Sequence, residues 1–188
     1  MPQLTAVYLD FCDAQSHRAW RWLSQLPERD RIEVRPFASA GDVQPWDARE
    51  HTWALDLLAL GELARDQGRE AHLAFVDAAF AALHGADAPE DPDPTNLEAF
   101  LELGTAVGLD LDRFTDDGDR WRAEVGLWHR EAEDELGVEG VPTLVFDDAH
   151  ALRIALDEDI TDRGDAARLL ADLSDLADQP VITVVKTA

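Results

Sequence analysis

The sequence has a single cysteine, Cys12, and a single lysine, Lys186. One cysteine excludes an intramolecular disulfide and any zinc site built from several thiolates. It leaves open a mixed disulfide with the thiol of another molecule. Bases are scarce, 16 against 40 acids, for a formal net charge of -24. Nucleic-acid binding depends on a basic footprint, so the balance argues against such partners. The excess of acid reads as a solvated surface that favours solubility at some cost in self-repulsion. A cationic partner or a halophilic source would fit the same charge. No run approaches the roughly 18 apolar residues that cross a bilayer, so no membrane partner is expected. The first residues, Met1-Pro2-Gln3-Leu4, show no basic segment and no small-residue cleavage site. They read as no secretory signal, and the cytoplasm is the expected location.

What is present suits one substantial core: 188 residues, 46% of them hydrophobic. Residues 4–12, LTAVYLDFC, are β-branched, aromatic and apolar and predict a buried strand. Asp13 then suits a helix N-cap, and residues 14–26 carry Ala19, Trp20, Leu23 and Leu26 at helical spacing. Residues 31–37 predict a second strand that ends near Pro36. From about 48 to 137 the pattern is helical. Segments 50–67 and 69–84 flank Gly68, a Pro/Asp loop covers Gly85 to Pro94, and Thr95 caps a helix that stops at Gly108. A short element at 110–115 and a long helix at 119–136 follow. Strand character returns at Val141 to Phe146 and near Leu152 to Leu156, then a helix at 163–177 and a strand at Val181 to Val185. The order predicts an α/β fold, a single domain over residues 1–188, with the helical block inserted and packed on a sheet.

Residues 137–146 read GVEGVPTLVF, after a long helix and into a strand. This resembles the cis-proline loop of the thioredoxin superfamily in the form used by the DsbA family. The first strand, its turn and the tryptophan-rich helix look like that family's first βα unit. The block AREHTWAL, HLAFVDAAFAALHG and LEAFLELGTAVGLDLDRF is similar to its helical insert. The branch it resembles most is the FrnE-like one, near the kappa-class glutathione transferases and the 2-hydroxychromene-2-carboxylate isomerases. The resemblance covers most of residues 4–178 and leaves 181–187 unexplained. It implies a thioredoxin fold with a large all-helical insertion and a cis bond at Val141-Pro142. It also implies a substrate edge at Val141, where a peptide or thiol cofactor meets the backbone.

The departure is at the redox motif. The family sets Cys-Pro-x-Cys two residues after a pair matched here by Asp10-Phe11, and those positions hold Asp13, Ala14, Gln15 and Ser16. Dithiol exchange needs both sulfurs in one molecule, so it is not expected. Cys12 falls one residue early. Near a helix N-terminus, with His17 and Arg18 close in sequence, it reads as a reactive monothiol; with Asp13 holding the amides and repelling a thiolate, it reads as inert. Asp13 is an N-cap or a catalytic acid. Ser16 is a plain helical serine or a catalytic hydroxyl like those of the transferase and isomerase relatives. His17 is an exposed helical histidine or a neighbour of the site. His51, His72, His84, His129 and His150 form no metal-ligand spacing, and the acids of 87–93 lack the order of a calcium hand. Trp20 and Trp53 read as core or as the lining of an apolar cleft. Three functions stay open: an oxidoreductase homologue working as a monothiol or with an external thiol, a glutathione- or mycothiol-type transferase or isomerase, and a non-catalytic peptide- or thiol-binding protein. No tightly bound cofactor or metal is expected; a low-molecular-weight thiol is the small molecule that fits. The oligomeric state is not legible.

Overall fold

A computed structural model of the chain describes residues 2–39, 52–86, 88, 97–179 and the backbone of 184–186. His51, the Pro/Asp loop from 89 onward, the Thr95 cap and the start of the last predicted strand lie outside the described residues. The chain divides into two compact units, one made of Met1–Phe37 with Arg130–Ala188, the other of Ala38–His129.

The first unit holds a sheet whose described strands are β1 (Leu4–Leu9), β2 (Glu33–Pro36), β3 (Thr143–Phe146), β4 (His150–Ala155) and β5 (Val184–Lys186), in the order β2-β1-β3-β4-β5. β1 pairs parallel with β2 and antiparallel with β3; β3 pairs antiparallel with β4, and β4 parallel with β5. The central strands β1 and β3 are buried almost throughout, which is why their sequences are continuous apolar runs rather than alternations. β1 stops at Leu9, short of the predicted residue 12, because Asp10 turns its carboxylate back onto the following turn. β2 ends at Pro36, which has no N–H to give a ladder, and Phe37 N–H donates instead to Leu9 O at 3.0 Å. A bulge at Thr5 shifts the β1–β3 register, and the Thr5 hydroxyl donates to Val145 O and accepts from Asp148 N–H.

Helix α1 (Ala14–Leu23) buries Ser16, Ala19, Trp20, Trp22 and Leu23. The Trp22 indole is fully buried and donates to Ala166 O at 3.1 Å, which ties α1 to the last helix (Arg163–Ala177). That helix has the predicted limits, and Asp162 caps it through Gly164 N–H and Asp165 N–H. One apolar cluster joins Ala6, Tyr8, Phe37, Ala132, Val138, Val141 and Val145, so the segment before β3 is part of the core.

The second unit is helical: α2 (Trp53–Asp66), α3 (Arg69–His84), α4 (Leu97–Ala106) and most of α5 (Asp112–Leu136), with Arg163–Ala177 as α6 of the first unit. Gly68, at φ 123, makes the turn between α2 and α3 in a conformation that side chains avoid. The predicted break between 110–115 and 119–136 is present inside α5: Asp117, at φ -147 and ψ 52, leaves the helical conformation and separates two helical segments. Trp53 stacks on Phe100 at 5.4 Å and 15°. Among the described residues, no helix is long and apolar enough to cross a membrane.

Candidate functional site

The register brings two loops together at one end of the sheet. Tyr8 is opposite Thr143 in the antiparallel β1–β3 pair. That pair closes the β1–β3 ladder, so the residues after Leu9 and those before Thr143 leave the sheet at the same end. The turn from β1 into α1 and the loop into β3 are thus neighbours because their strands are.

Short hydrogen bonds fix the first loop. Cys12 N–H donates to Asp10 Oδ1 at 2.9 Å and Asp13 N–H to Asp10 O at 3.1 Å. Asp13, in extended backbone at φ -89 and ψ 121, caps α1 by accepting Ser16 N–H on Oδ2 at 2.6 Å. Asp13 is an N-cap in its geometry, and its carboxylate takes an amide that an anion at the helix end would otherwise use. Replacing it with alanine should lower stability by about 1 kcal/mol. A urea midpoint left unmoved by Asp13→Ala would show that the cap contributes nothing. The Ser16 hydroxyl is fully buried and accepts Asp10 N–H at 3.2 Å. It faces the end of β1 and is a structural clasp, not an open catalytic hydroxyl. His17 is half-buried instead of exposed, and its N–H donates to Asp13 O. Gln15 and Arg18 hold the chain after β4 through the N–H and the carbonyl of Leu156, and Asp159 pairs with Arg18 and Arg21.

In the second loop the Val141-Pro142 peptide bond is cis. Thr143 Oγ1 donates to Gly140 O at 2.6 Å, and Pro142 O accepts from Ile154 N–H at 3.1 Å. The Val141 side chain is buried in the core cluster. No described residue hydrogen-bonds to its backbone N–H or carbonyl.

Cys12 is exposed, past the end of β1, although the sequence places it in the segment 4–12 read as a buried strand. Its thiol is nevertheless pushed up to about 12, first by the desolvation of a crowded sulfur, then by the charge and hydrogen bond of Asp10, and last by Asp13. The order corrects the sequence reading, which named Asp13 alone. At neutral pH the sulfur is a thiol, and the charges that act on it, Asp10 and Asp13, oppose a thiolate. The arrangement therefore has neither a second sulfur nor an activated first one.

Asp10 is the site residue that sequence reasoning passed over. It is 5% exposed, at the end of an apolar strand. An acid closing a run of buried positions was the available signal. The second unit holds buried polar groups of its own. Glu62 accepts Arg65 Nε on both oxygens, at 3.2 and 3.1 Å, and Trp128 Nε1–H at 2.9 Å. His72 is buried on α3. Trp20 is buried and packs under the Arg29 guanidinium at 4.9 Å, whereas Trp53 is half-buried and stacks on Phe100. Among the described residues, no group of three or more His, Cys, Asp or Glu is placed to hold a metal ion.

No family model matches the sequence, and no curated protein matches it significantly. Solved structures do match. A probable DsbA oxidoreductase from Streptomyces coelicolor is 21% identical over 89% of this chain and 88% of its own, with a TM-score of 0.58. The thiol-disulfide exchange protein α-DsbA2 of Wolbachia pipientis is 17% identical over 89% of this chain and 80% of its own, at 0.57. A cysteine-to-serine variant of Proteus mirabilis DsbA, solved with a non-covalently bound peptide, is 12% identical over 95% of this chain and 90% of its own, at 0.59. With the sheet order, the helical block and the two adjoining loops, these likenesses give the chain the DsbA-type thioredoxin fold with a helical insertion, on which only one cysteine is left.

Proposed function

We propose that this protein binds an extended peptide along the Val141 edge without dithiol exchange. The observation that carries the reading is the Val141 backbone, whose N–H and carbonyl have no partner among the described residues. A strand-like peptide recognises such an edge through its own main chain. The peptide bound to the Proteus mirabilis relative supports the same use of the fold. The site's chemistry agrees: Ser16 is a buried clasp, Asp13 a cap, and Cys12 an unactivated thiol. Within the fold we place the chain nearest the FrnE-like branch, on its GVPT loop and helical block. We place it in the cytoplasm, because a lone cysteine gains nothing from an oxidising compartment.

The exposure of Cys12 favours a second reading. Its thiolate would attack oxidised glutathione, forming a mixed disulfide and releasing one reduced glutathione. The buried Ser16 hydroxyl speaks against the transferase and isomerase reading.

Fluorescence anisotropy with labelled seven-residue peptides separates these. Binding that is unchanged in Cys12→Ser, with no reduction of insulin disulfides, is the expected result. Loss of peptide binding in Cys12→Ser, with a stoichiometric glutathione adduct on the unmodified protein by mass spectrometry, would replace the first reading with the second.

A further inference from the structure

We infer that Arg153 is a carboxylate-recognition residue beside the Val141 edge, and that it selects ligands carrying an acidic group. The inference rests on the peptide-binding reading and names its substrate class.

The placement follows from the hairpin register. Arg153 of β4 is directly opposite Thr143 of β3. The Thr143 hydroxyl holds the carbonyl of Gly140 at 2.6 Å, which folds the loop back over this pair. A Cβ built on Gly140 would lie 3.0 Å from Arg153 Cζ and 3.2 Å from both Nη1 and Nη2. A point nearest to the central carbon and equally far from the two terminal nitrogens faces the flat of the guanidinium. Glycine is thus the residue that lets the group lie flat on the loop.

A guanidinium stacked by its face keeps its N–H donors, which lie in its plane, directed sideways. Three other arginines of the first unit are occupied. Arg18 and Arg21 share Asp159, and Arg35 holds Glu33 and Glu131. Arg153 is exposed, and no described residue pairs with it. In a chain of net charge -24 an open guanidinium next to an open backbone edge is the local feature that attracts an anion. The fork matches a carboxylate in bidentate geometry. The repulsion of the distant acids is screened over about 8 Å at physiological salt, so contact with Arg153 outweighs it.

The carboxylate could belong to a peptide side chain or to a small thiol such as glutathione. Anisotropy titrations separate the sources. The probes are seven-residue alanine-based peptides with one glutamate moved through the sequence, their glutamine counterparts, and reduced glutathione as competitor. The protein variants are Arg153→Met, which keeps the packing on Gly140, and Arg153→Lys, which keeps the charge but not the fork.

At least one glutamate peptide should bind about tenfold tighter than its glutamine counterpart. Arg153→Met should abolish that preference and leave the glutamine peptide's affinity unchanged. Arg153→Lys should keep only part of it. If reduced glutathione displaces the acidic peptide from the unmodified protein and not from Arg153→Met, the small thiol is a source of the carboxylate; if it displaces neither, the source is the peptide. Equal binding of glutamate and glutamine peptides, or a preference that survives Arg153→Met, overturns the assignment of Arg153 alone. Failure of every peptide to bind overturns the groove reading and the assignment with it.

Discussion

Cys12 should exchange with oxidised glutathione at pH 8 roughly thirty- to sixtyfold more slowly than a solvent-exposed thiol of ordinary acidity. The thiolate is the attacking species. Raising the pKa from 9.0 to about 12 removes it. At pH 8 that lowers the thiolate fraction by roughly a thousandfold. A more basic sulfur is also a better nucleophile, and with a Brønsted slope of about 0.4–0.5 the gain recovers a little under half of the loss on a logarithmic scale. The rate should climb with pH across the whole range up to pH 10 and show no plateau there. Asp10→Asn removes the larger of the two carboxylate effects, so it should speed the reaction severalfold. It should not restore ordinary acidity, because crowding of the sulfur is the first cause and remains. Stopped-flow rates against pH test this. A plateau below pH 9 in the unmodified protein would mean that the sulfur is activated, and the monothiol reading would then lead.

The second large effect is in the helical unit. His72 should make the protein about 2 kcal/mol less stable at pH 5 than at pH 7. Its pKa is lowered from 6.5 to about 3, by burial first and then by the charges of Arg65 and Arg69. A base with a lowered folded pKa is neutral in the native state and charges only in the unfolded chain. Its contribution is therefore complete above about pH 6.5 and is lost as pH falls from there toward 3. Glu62 acts with the opposite sign. Burial raises its pKa in spite of Arg65 and Trp128, so acidification through that pKa adds stability. Comparison of the unmodified protein with His72→Gln cancels the contribution of Glu62. Urea unfolding at pH 7 and pH 5 should give the glutamine variant the shallower dependence. Equal slopes for the two proteins would show that His72 is solvated in the fold.

The position of His72 was legible, although its burial was passed over. Its stripe on α3 is His72, Phe75, Val76, Ala79 and Phe80. That is helical spacing with a histidine in an apolar place. Ser16 is similar, one turn before Ala19 and Trp20 on the buried face of α1. In both cases residue type overrode position, since serine and histidine read as surface groups. The strands and helices themselves follow from periodicity, and α6 was readable to its limits because Asp162 and a clean apolar stripe bound it. The break at Asp117 was legible too, because the polar stretch around it interrupts the apolar periodicity where the backbone leaves the helix. Arg153 against Gly140 had no local signature at all. Those residues meet only after β3 and β4 pair and the loop folds back on Thr143.

The clasp of Ser16 on the end of β1 has an evolutionary consequence. A dithiol at this helix end cannot be reached by a single favourable step. Asp13→Cys gives up the cap on Ser16 N–H before position 16 carries a sulfur. Ser16→Cys puts a weak sulfur acceptor, bulkier than the hydroxyl, in a fully buried place where Asp10 N–H needs an oxygen. Each change should lower stability alone, and only together do they supply a pair at the motif spacing of 13 and 16. Even then Asp10 remains beneath the new sulfurs, set by the same turn that now suppresses Cys12. The local hydrogen bonds therefore act as a ratchet: in a lineage with this turn, folding stability opposes each first step toward a cysteine pair at 13 and 16.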